Sequence, residues 1–395
     1  EETEQKGRCL VSTAPIARGE LLFSERASML YLGPETDDPV KDSTYYLIES
    51  VYRGDAAIPP AFAVQLAQNP RRAEEFAKQA KGVADALIDE TVELLERDRA
   101  MAHLVDRDDV VRLVNGIHTN SFSLDFYEGF AVFMYASLFN HSCLPSVGWH
   151  TVKDEIFFVA LRDIPAGEEL TISYSFPYLL EKRKKYFLDF YGFDCDCPLC
   201  ASRTDFWRVF YCPACRGFAF PVAGVYTCEA CGRVCTPEDV AGFMRDEQAL
   251  YARPKKDRHR SCGSVAPAHL QRFKALRRYA KSARCLTPIK VYEQTLVPIA
   301  RAYAAKTQSR LFASVVEDYG VACLQYAKQL RDDGEEPDLV EFCVEKARDA
   351  FWTGYVSRCA IGLAVGGYAA SNLFDLMQLV GNDALLAEYE FCEEW

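Results

Sequence analysis

No apolar run in this chain is long enough to cross a bilayer. The most apolar stretch near the middle, Phe130–Phe139, falls far short of the span required. A secretory signal is also missing, and the chain opens on Glu1 rather than Met, as a trimmed N-terminus would. Positive charge is scarce: 45 Lys and Arg against 57 Asp and Glu leave a formal net charge of −12. Phosphate binding needs clustered cations, so this balance argues against a protein built to wrap nucleic acid, and direct nucleic-acid binding is not expected. It suits a basic protein partner instead. Cysteine is absent between Cys9 and Cys143, yet eight of the sixteen crowd into residues 195–235. A secreted disulfide scaffold spaces its cysteines through a small loop-rich chain, and this distribution excludes that class. It points to metal sites in a reducing compartment.

What is present describes a folded chain: 395 residues, 49% hydrophobic and 13% aromatic, enough for two or three domains. Residues 7–32 read as short strands, with Gly19 turning the phrase Ile16-Ala17-Arg18-Gly19-Glu20-Leu21. A similar phrase returns at Ile164-Pro165-Ala166-Gly167-Glu168-Glu169-Leu170, which suggests one β-rich domain interrupted in sequence. The interruption, residues 41–115, is read as helical. Leu87/Ile88, Val92 and Leu95 keep a three-to-four spacing, and Pro59-Pro60 and Asn69-Pro70 punctuate the segment. Glu155–Leu161 reads as a buried strand. From about residue 238 the pattern is helical. Val316, Tyr319, Cys323, Tyr326 and Leu330 share one face; Leu339, Phe342/Cys343, Ala347 and Ala350 share another; Asp332-Asp333-Gly334 turns between them. The domains expected are 1–40 and 116–185 as two halves of the β-fold, 41–115 as a helical insert, 186–237 as a cysteine module and 238–395 as a helical domain.

Cys212-x2-Cys215-x12-Cys228-x2-Cys231 is two knuckles at the spacing of a four-thiolate zinc site. Gly217 and Gly232 follow the knuckles, where a positive φ is often needed. Cys235 is left over, as a spare thiol or an alternative ligand. Cys195-x-Cys197-x2-Cys200 supplies three thiolates. Spacing alone leaves its fourth donor open, and leaves open a cluster shared with Cys212–Cys231.

Three stretches carry a resemblance: Asn140-His141-Ser142-Cys143-Leu144-Pro145, Glu169-Leu170-Thr171-Ile172-Ser173-Tyr174, and Tyr191-Gly192-Phe193-Asp194-Cys195-Asp196-Cys197-Pro198-Leu199-Cys200. In this order they resemble the SET-domain protein-lysine methyltransferases, in particular the SMYD branch. Lys6-Gly7-Arg8-Cys9-Leu10 resembles the strand that opens SET domains, and Asn120-Ser121-Phe122 the segment ahead of the core motif. The resemblance implies an α+β SET fold with a pseudoknot, a post-SET and zinc-ribbon module, and an all-α, tetratricopeptide-like C-terminal domain. It implies Tyr174 as the catalytic residue, with Tyr174, Tyr191 and Phe193 lining the substrate channel. It implies that Lys6, Gly7, Arg8, Asn120, Asn140, His141, Tyr174, Tyr191 and Phe193 bind S-adenosylmethionine. It also makes Cys143 the fourth ligand beside Cys195, Cys197 and Cys200, for two structural Zn2+ in all.

The chain departs from the family at three points. Cys9 stands where the family has Gly, Ser146 stands for the closing Asn of N-H-S-C-x-P-N, and the MYND finger is missing. The activity implied is methylation of lysine in histones or another basic nuclear protein, with the helical domain recruiting chromatin-complex subunits, in the nucleus and also the cytoplasm. The alternative is an inactive SET-fold scaffold of a chromatin complex, and a weaker third reading is a chaperone-associated cytoplasmic enzyme. The basic runs Lys182–Lys185 and Lys255–Arg260 read first as solvated surface, and the second also as a localisation signal or nucleic-acid contact.

Overall fold

The computed structural model describes residues 2–3, 7–32, 48, 83–97, 102–103, 105–124, 129–152, 154–174, 179–282, 286–307, 311–334 and 337–359. Pro59-Pro60, Asn69-Pro70 and Lys6 lie outside them. The chain divides into two compact units: Glu1–Phe176 with Glu181–Cys195, and Pro177–Leu180 with Asp196–Trp395.

The first unit is β-rich. Glu155–Ala160 runs antiparallel to both Leu21–Arg26 and Val147–Val152. Its alternate residues Ile156 and Phe158 are fully buried, as a strand covered on one face requires. Phe158 stacks on Phe139 at 4.5 Å and meets Phe23 at 4.9 Å, so the core joins both sequence halves of the fold. The two recurring phrases lie against each other: Ile16 and Ile164 exchange both backbone hydrogen bonds at 2.9 Å. Gly19 and Gly167 hold φ of +84° and +83° at equivalent turns, a conformation that side chains resist.

Between the halves, the helix Val83–Arg97 buries Ile88 and Leu95, on the face that the spacing predicts. A second helix, Arg107–Asn120, starts at Asp106, whose carboxylate accepts from the N–H groups of Asp108 and Asp109. This helix runs to Asn120, so the segment His118–Asn120 is helical and the strand Ser121–Ser123 follows directly. That strand pairs with Gly129–Val132, which also pairs with Met29–Leu32.

The second unit opens with the short helix Pro198–Ala201 and a three-stranded antiparallel sheet of Phe210–Tyr211, Phe218–Val222 and Val225–Cys228. The helix Pro237–Ala252 follows. Thr236 and Asp239 close a reciprocal capping box at its start, and Pro237 occupies its first turn. Helices then continue through Leu270–Ser282, Leu286–Val291, a π-helical turn at Tyr292–Leu296, Val297–Thr307, Leu311–Asp332 and Pro337–Cys359. Gly334, at φ +72°, turns the last two as expected. Val316, Tyr319, Cys323 and Leu330 are buried along one face. On the partner helix Cys343, Ala347 and Ala350 are buried, but Phe342 is 49% exposed, so the apolar stripe there runs through Cys343 alone.

A buried polar group pins this unit. The Arg208 guanidinium donates to Glu247 at 2.6 Å, and His269 Nε2 lies 2.9 Å from the same carboxylate. Burial pushes the Glu247 carboxyl up, but its bonds to His269 and Arg208 outweigh that and hold it below its ordinary 4.5. A carboxyl with a depressed folded pKa stabilises the fold above its unfolded pKa and loses that contribution as pH falls. Glu247→Gln should therefore cost roughly 3 kcal/mol at pH 7. It should also flatten the decline in stability below about pH 4.5, the ordinary Glu value. Urea unfolding followed from pH 7 to pH 3 measures both; an unchanged acid limb in the variant would contradict this assignment.

Candidate functional site

The site grows from one short strand. Glu169–Ile172 pairs antiparallel with Leu10–Val11 on one side and parallel with Asn140–His141 on the other. Ser142 N–H extends the parallel ladder by donating to the Ile172 carbonyl at 2.9 Å. The segments Leu10–Val11, Asn140–His141 and Glu169–Ile172 thereby share one sheet, although they lie far apart in sequence.

His141 is fixed by both ring nitrogens. The backbone N–H of Tyr174 donates to His141 Nδ1 at 3.1 Å. Nδ1 must then carry the lone pair and Nε2 the proton, and Nε2 sits 3.2 Å from Cys143 Sγ. The imidazole thus links the backbone of Tyr174 to the Cys143 sulfur, an outer contact that would orient a metal ligand. The Tyr174 hydroxyl donates to the Phe139 carbonyl, which locks its ring. Asn140 Nδ2 donates to Glu169 at 2.8 Å across the parallel pair.

Aromatic rings build a wall around this point. Tyr174 lies 5.3 Å from His141 and 5.1 Å from Tyr191; Phe193 lies 6.2 Å from His141 and 6.3 Å from Tyr191. Tyr191 stands at the end of the helix Leu180–Tyr191, and Lys184 on that helix bonds Asp194 just beyond it. Phe187, one turn before Tyr191, packs 3.9 Å from His141 and stacks on Phe193 at 5.4 Å. Phe187 and Phe139 escaped the sequence reading. The i, i+4 spacing of Phe187 and Tyr191 could have revealed the first; a backbone carbonyl leaves no signal in sequence.

Of the residues expected at the cofactor, Asn140, His141, Tyr174, Tyr191 and Phe193 gather here. Gly7 and Arg8 form a short strand pairing with Glu2–Thr3, and Lys6 lies outside the described residues. The Asn120 amide donates to the Gly116 carbonyl at 2.9 Å, at the end of its own helix. No described contact joins it to the His141 group.

The two departures that are single residues, Cys9 and Ser146, are both buried. Cys9 is 6% exposed. Ser146 is fully buried and tied to the central strand: its hydroxyl accepts from Thr171 N–H at 3.0 Å, and its own N–H donates to the Thr171 hydroxyl at 3.3 Å. A shorter side chain than Asn thus still fastens this loop to the strand. Removing it leaves Thr171 N–H unsatisfied, so Ser146→Ala should cost about 1–3 kcal/mol. Chemical denaturation would show this, and a loss below 0.5 kcal/mol would contradict it.

Two four-cysteine groups stand apart: Cys143, Cys195, Cys197 and Cys200, and Cys212, Cys215, Cys228 and Cys231, each with sulfurs within 4.8 Å of one another. A tetrahedral Zn2+ with Zn–S of about 2.3 Å sets sulfurs about 3.8 Å apart. The observed separations are 3.9 Å for Cys143–Cys195, 3.9 Å for Cys212–Cys231 and 3.5 Å for Cys215–Cys228, so both groups fit that ion. The triplet does not share the other cluster. Cys235 belongs to neither and is 8% exposed, in the core beside the sheet. The positive φ expected at both knuckle glycines appears at Gly232 (+69°), but at the first knuckle it falls on Arg216 (+64°). Gly217 is needed for space: a Cβ there would meet Ala230 Cβ at 2.6 Å and two cysteine sulfurs within 3.3 Å. Metal analysis of the purified protein should return two zinc ions per chain, and Cys212→Ser should return one with a lower melting temperature. Folded protein holding fewer than two would refute the pair.

Residues 7–175 match the family profile described as SET domain. This region of the chain is similar to a SET domain. Several of its relatives are SMYD-like. N-lysine methyltransferase SMYD2 of Homo sapiens is 31% identical over 140 residues, 32% of this chain and 32% of that protein. Histone-lysine N-methyltransferase set5 of Schizosaccharomyces pombe is 30% identical over 125 residues, 31% of this chain and 39% of that protein. A SET domain-containing protein of Acanthamoeba polyphaga mimivirus is 35% identical over 90 residues, 22% of this chain and 34% of that protein. The chain thus spans about a third of the length of these curated relatives. The solved structure of Rubisco LSMT bound to AdoMet aligns with 96% of this chain and 88% of that one, at 14% identity and a TM-score of 0.34, too distant a likeness to carry an argument.

Proposed function

We propose that this protein transfers a methyl group from S-adenosylmethionine to the side-chain amine of a lysine in a basic protein, with histone tails as the first substrates to try. The observation that carries the reading is one junction: Glu169–Ile172 holds Asn140–His141 in register while His141 holds Tyr174 within the aromatic wall. Lysine methyltransferase names among the SMYD-like relatives support the same reaction class.

The residues fit the chemistry. S-adenosylmethionine supplies an electrophilic methyl group on a sulfonium. Aromatic faces such as Tyr191, Phe193 and Phe187 suit a neighbouring cation. A free lysine arrives protonated, with a pKa of about 10.4. The wall strips water from it and so favours the neutral amine, its proton lost to solvent; the amine lone pair would make the new C–N bond as the sulfonium's bond to that methyl breaks and the neutral thioether leaves. Tyr174, its hydroxyl already held by the Phe139 carbonyl, positions the amine; a strong base is not required. Asn140 and His141 would hold the cofactor on their side of this strand pair. Gly7 and Arg8, with Lys6, are assigned to the same pocket from the family resemblance, as is Asn120. The two thiolate groups hold structural zinc, and Cys143 ties one of them to His141. A nuclear location and recruitment of chromatin-complex subunits by the helical domain complete the reading.

The inactive-scaffold alternative rests on Cys9, buried where the family has Gly. One experiment separates the two. Tyr174→Phe should keep the fold and both zinc ions while methyl transfer to core histones falls about 100-fold or more. Wild-type protein with full zinc and no transfer to any basic protein would favour the scaffold.

A further inference from the structure

The net charge of −12 hides a strong segregation. Residues 253–282 hold ten Lys and Arg and a single acid, Asp257. Several of these cations are occupied. Arg277 and Lys281 pair with Asp318, and buried Arg272 donates to the Val265 carbonyl. Arg258 donates to the carbonyls of Tyr251 and Arg253, and Arg253 to that of Ser261. Lys274 is half-buried and also engaged, and four remain facing solvent: Lys255, Lys256, Arg260 and Arg278. Among the described residues Lys255, Lys256 and Arg278 have no acidic partner, and Arg260 has only Asp257 at 3.9 Å, on a side chain 71% exposed.

These four sit on a built surface. The 3-10 turn Lys255–Asp257 packs against the helix Leu270–Ser282. The His259 ring stacks on Tyr279 at 4.4 Å and 7°, and its Nδ1 donates to the Lys256 carbonyl at 2.7 Å. The stack therefore clamps the turn beside Arg278. Like charges gathered and held in this way repel one another, and an anionic partner relieves that repulsion.

We propose that Lys255, Lys256, Arg260 and Arg278, arranged around the His259–Tyr279 stack, form a binding surface for the phosphodiester backbone of duplex DNA. Duplex DNA presents one charge per about 1.7 Å of axis, a dense match to a compact group of cations. Single-strand binders instead offer aromatic faces on which bases stack. Here the two rings are spent on each other. The surface reads charge and carries no base recognition, so its specificity is low. It stands independently of the methyl-transfer reading, since no residue of the His141–Tyr174 group takes part.

The test is fluorescence anisotropy of a labelled 20-base-pair duplex with the full chain, between 50 and 200 mM salt. Four phosphate contacts predict a slope of log K against log salt near −3.6, which is roughly 100-fold weaker binding across that range. Substituting all four cations with Ala should weaken binding at least 10-fold and flatten the slope. His259→Ala should lower affinity with the slope retained. Lys182→Ala/Lys185→Ala should bind as the wild type does, and Tyr174→Phe should bind DNA normally even where transfer is lost. The proposal is overturned if the four-site variant, shown to be folded by its melting temperature, binds as wild type, if binding ignores salt, or if single-stranded RNA or polyglutamate binds more tightly than the duplex.

Discussion

The strand Glu169–Ile172 is the element on which the rest of the site depends. It is short, yet it has a partner on each edge, Leu10–Val11 antiparallel and Asn140–His141 parallel. Parallel pairing of strands this short is not stable alone, and here it is reinforced from outside the ladder. Ser146 stitches its loop to Thr171, and Asn140 reaches Glu169. Because strand side chains alternate, a slip of one residue would turn His141 and Tyr174 away from each other. Register in this strand and geometry in the site are therefore one constraint.

The thiolate groups extend that constraint. Cys143 lies two residues beyond His141 and receives its Nε2 proton donor, so a metal held there also fixes the imidazole whose other nitrogen accepts from Tyr174. The aromatic wall is held from a different direction. Phe187 and Tyr191 come from successive turns of one helix, and Lys184 bonds Asp194 across the bend that brings Phe193 back. Metal, imidazole, strand and helix thus converge on Tyr174 from separate stretches of sequence. A tyrosine on a free surface loop would lack this pre-organisation.

Much of this was legible in sequence because it is carried by residue type at fixed spacing. The two knuckles, the Cys195–Cys200 triplet, the paired glycine turns at Gly19 and Gly167, and the buried strand Glu155–Ala160 all announce themselves that way. The fourth cysteine came only through resemblance, since Cys143 is 52 residues from its neighbour Cys195. What stayed hidden depends on backbone or on packing. The Phe139 carbonyl has no residue signature, Arg216 takes a positive φ that the pattern assigned to Gly217, and Asn120 turns to its own helix end. Ser146 looked like a defect in a motif and is a fastening.

The central claim is that the strand junction holding His141 and Tyr174 is a working cofactor site despite Cys9. Calorimetric titration of the zinc-loaded protein with S-adenosylmethionine and with its demethylated product tests it most directly. The account predicts one site per chain for each, lost in Asn140→Ala while the fold is kept. Folded, zinc-loaded wild-type protein that takes up neither molecule would contradict it.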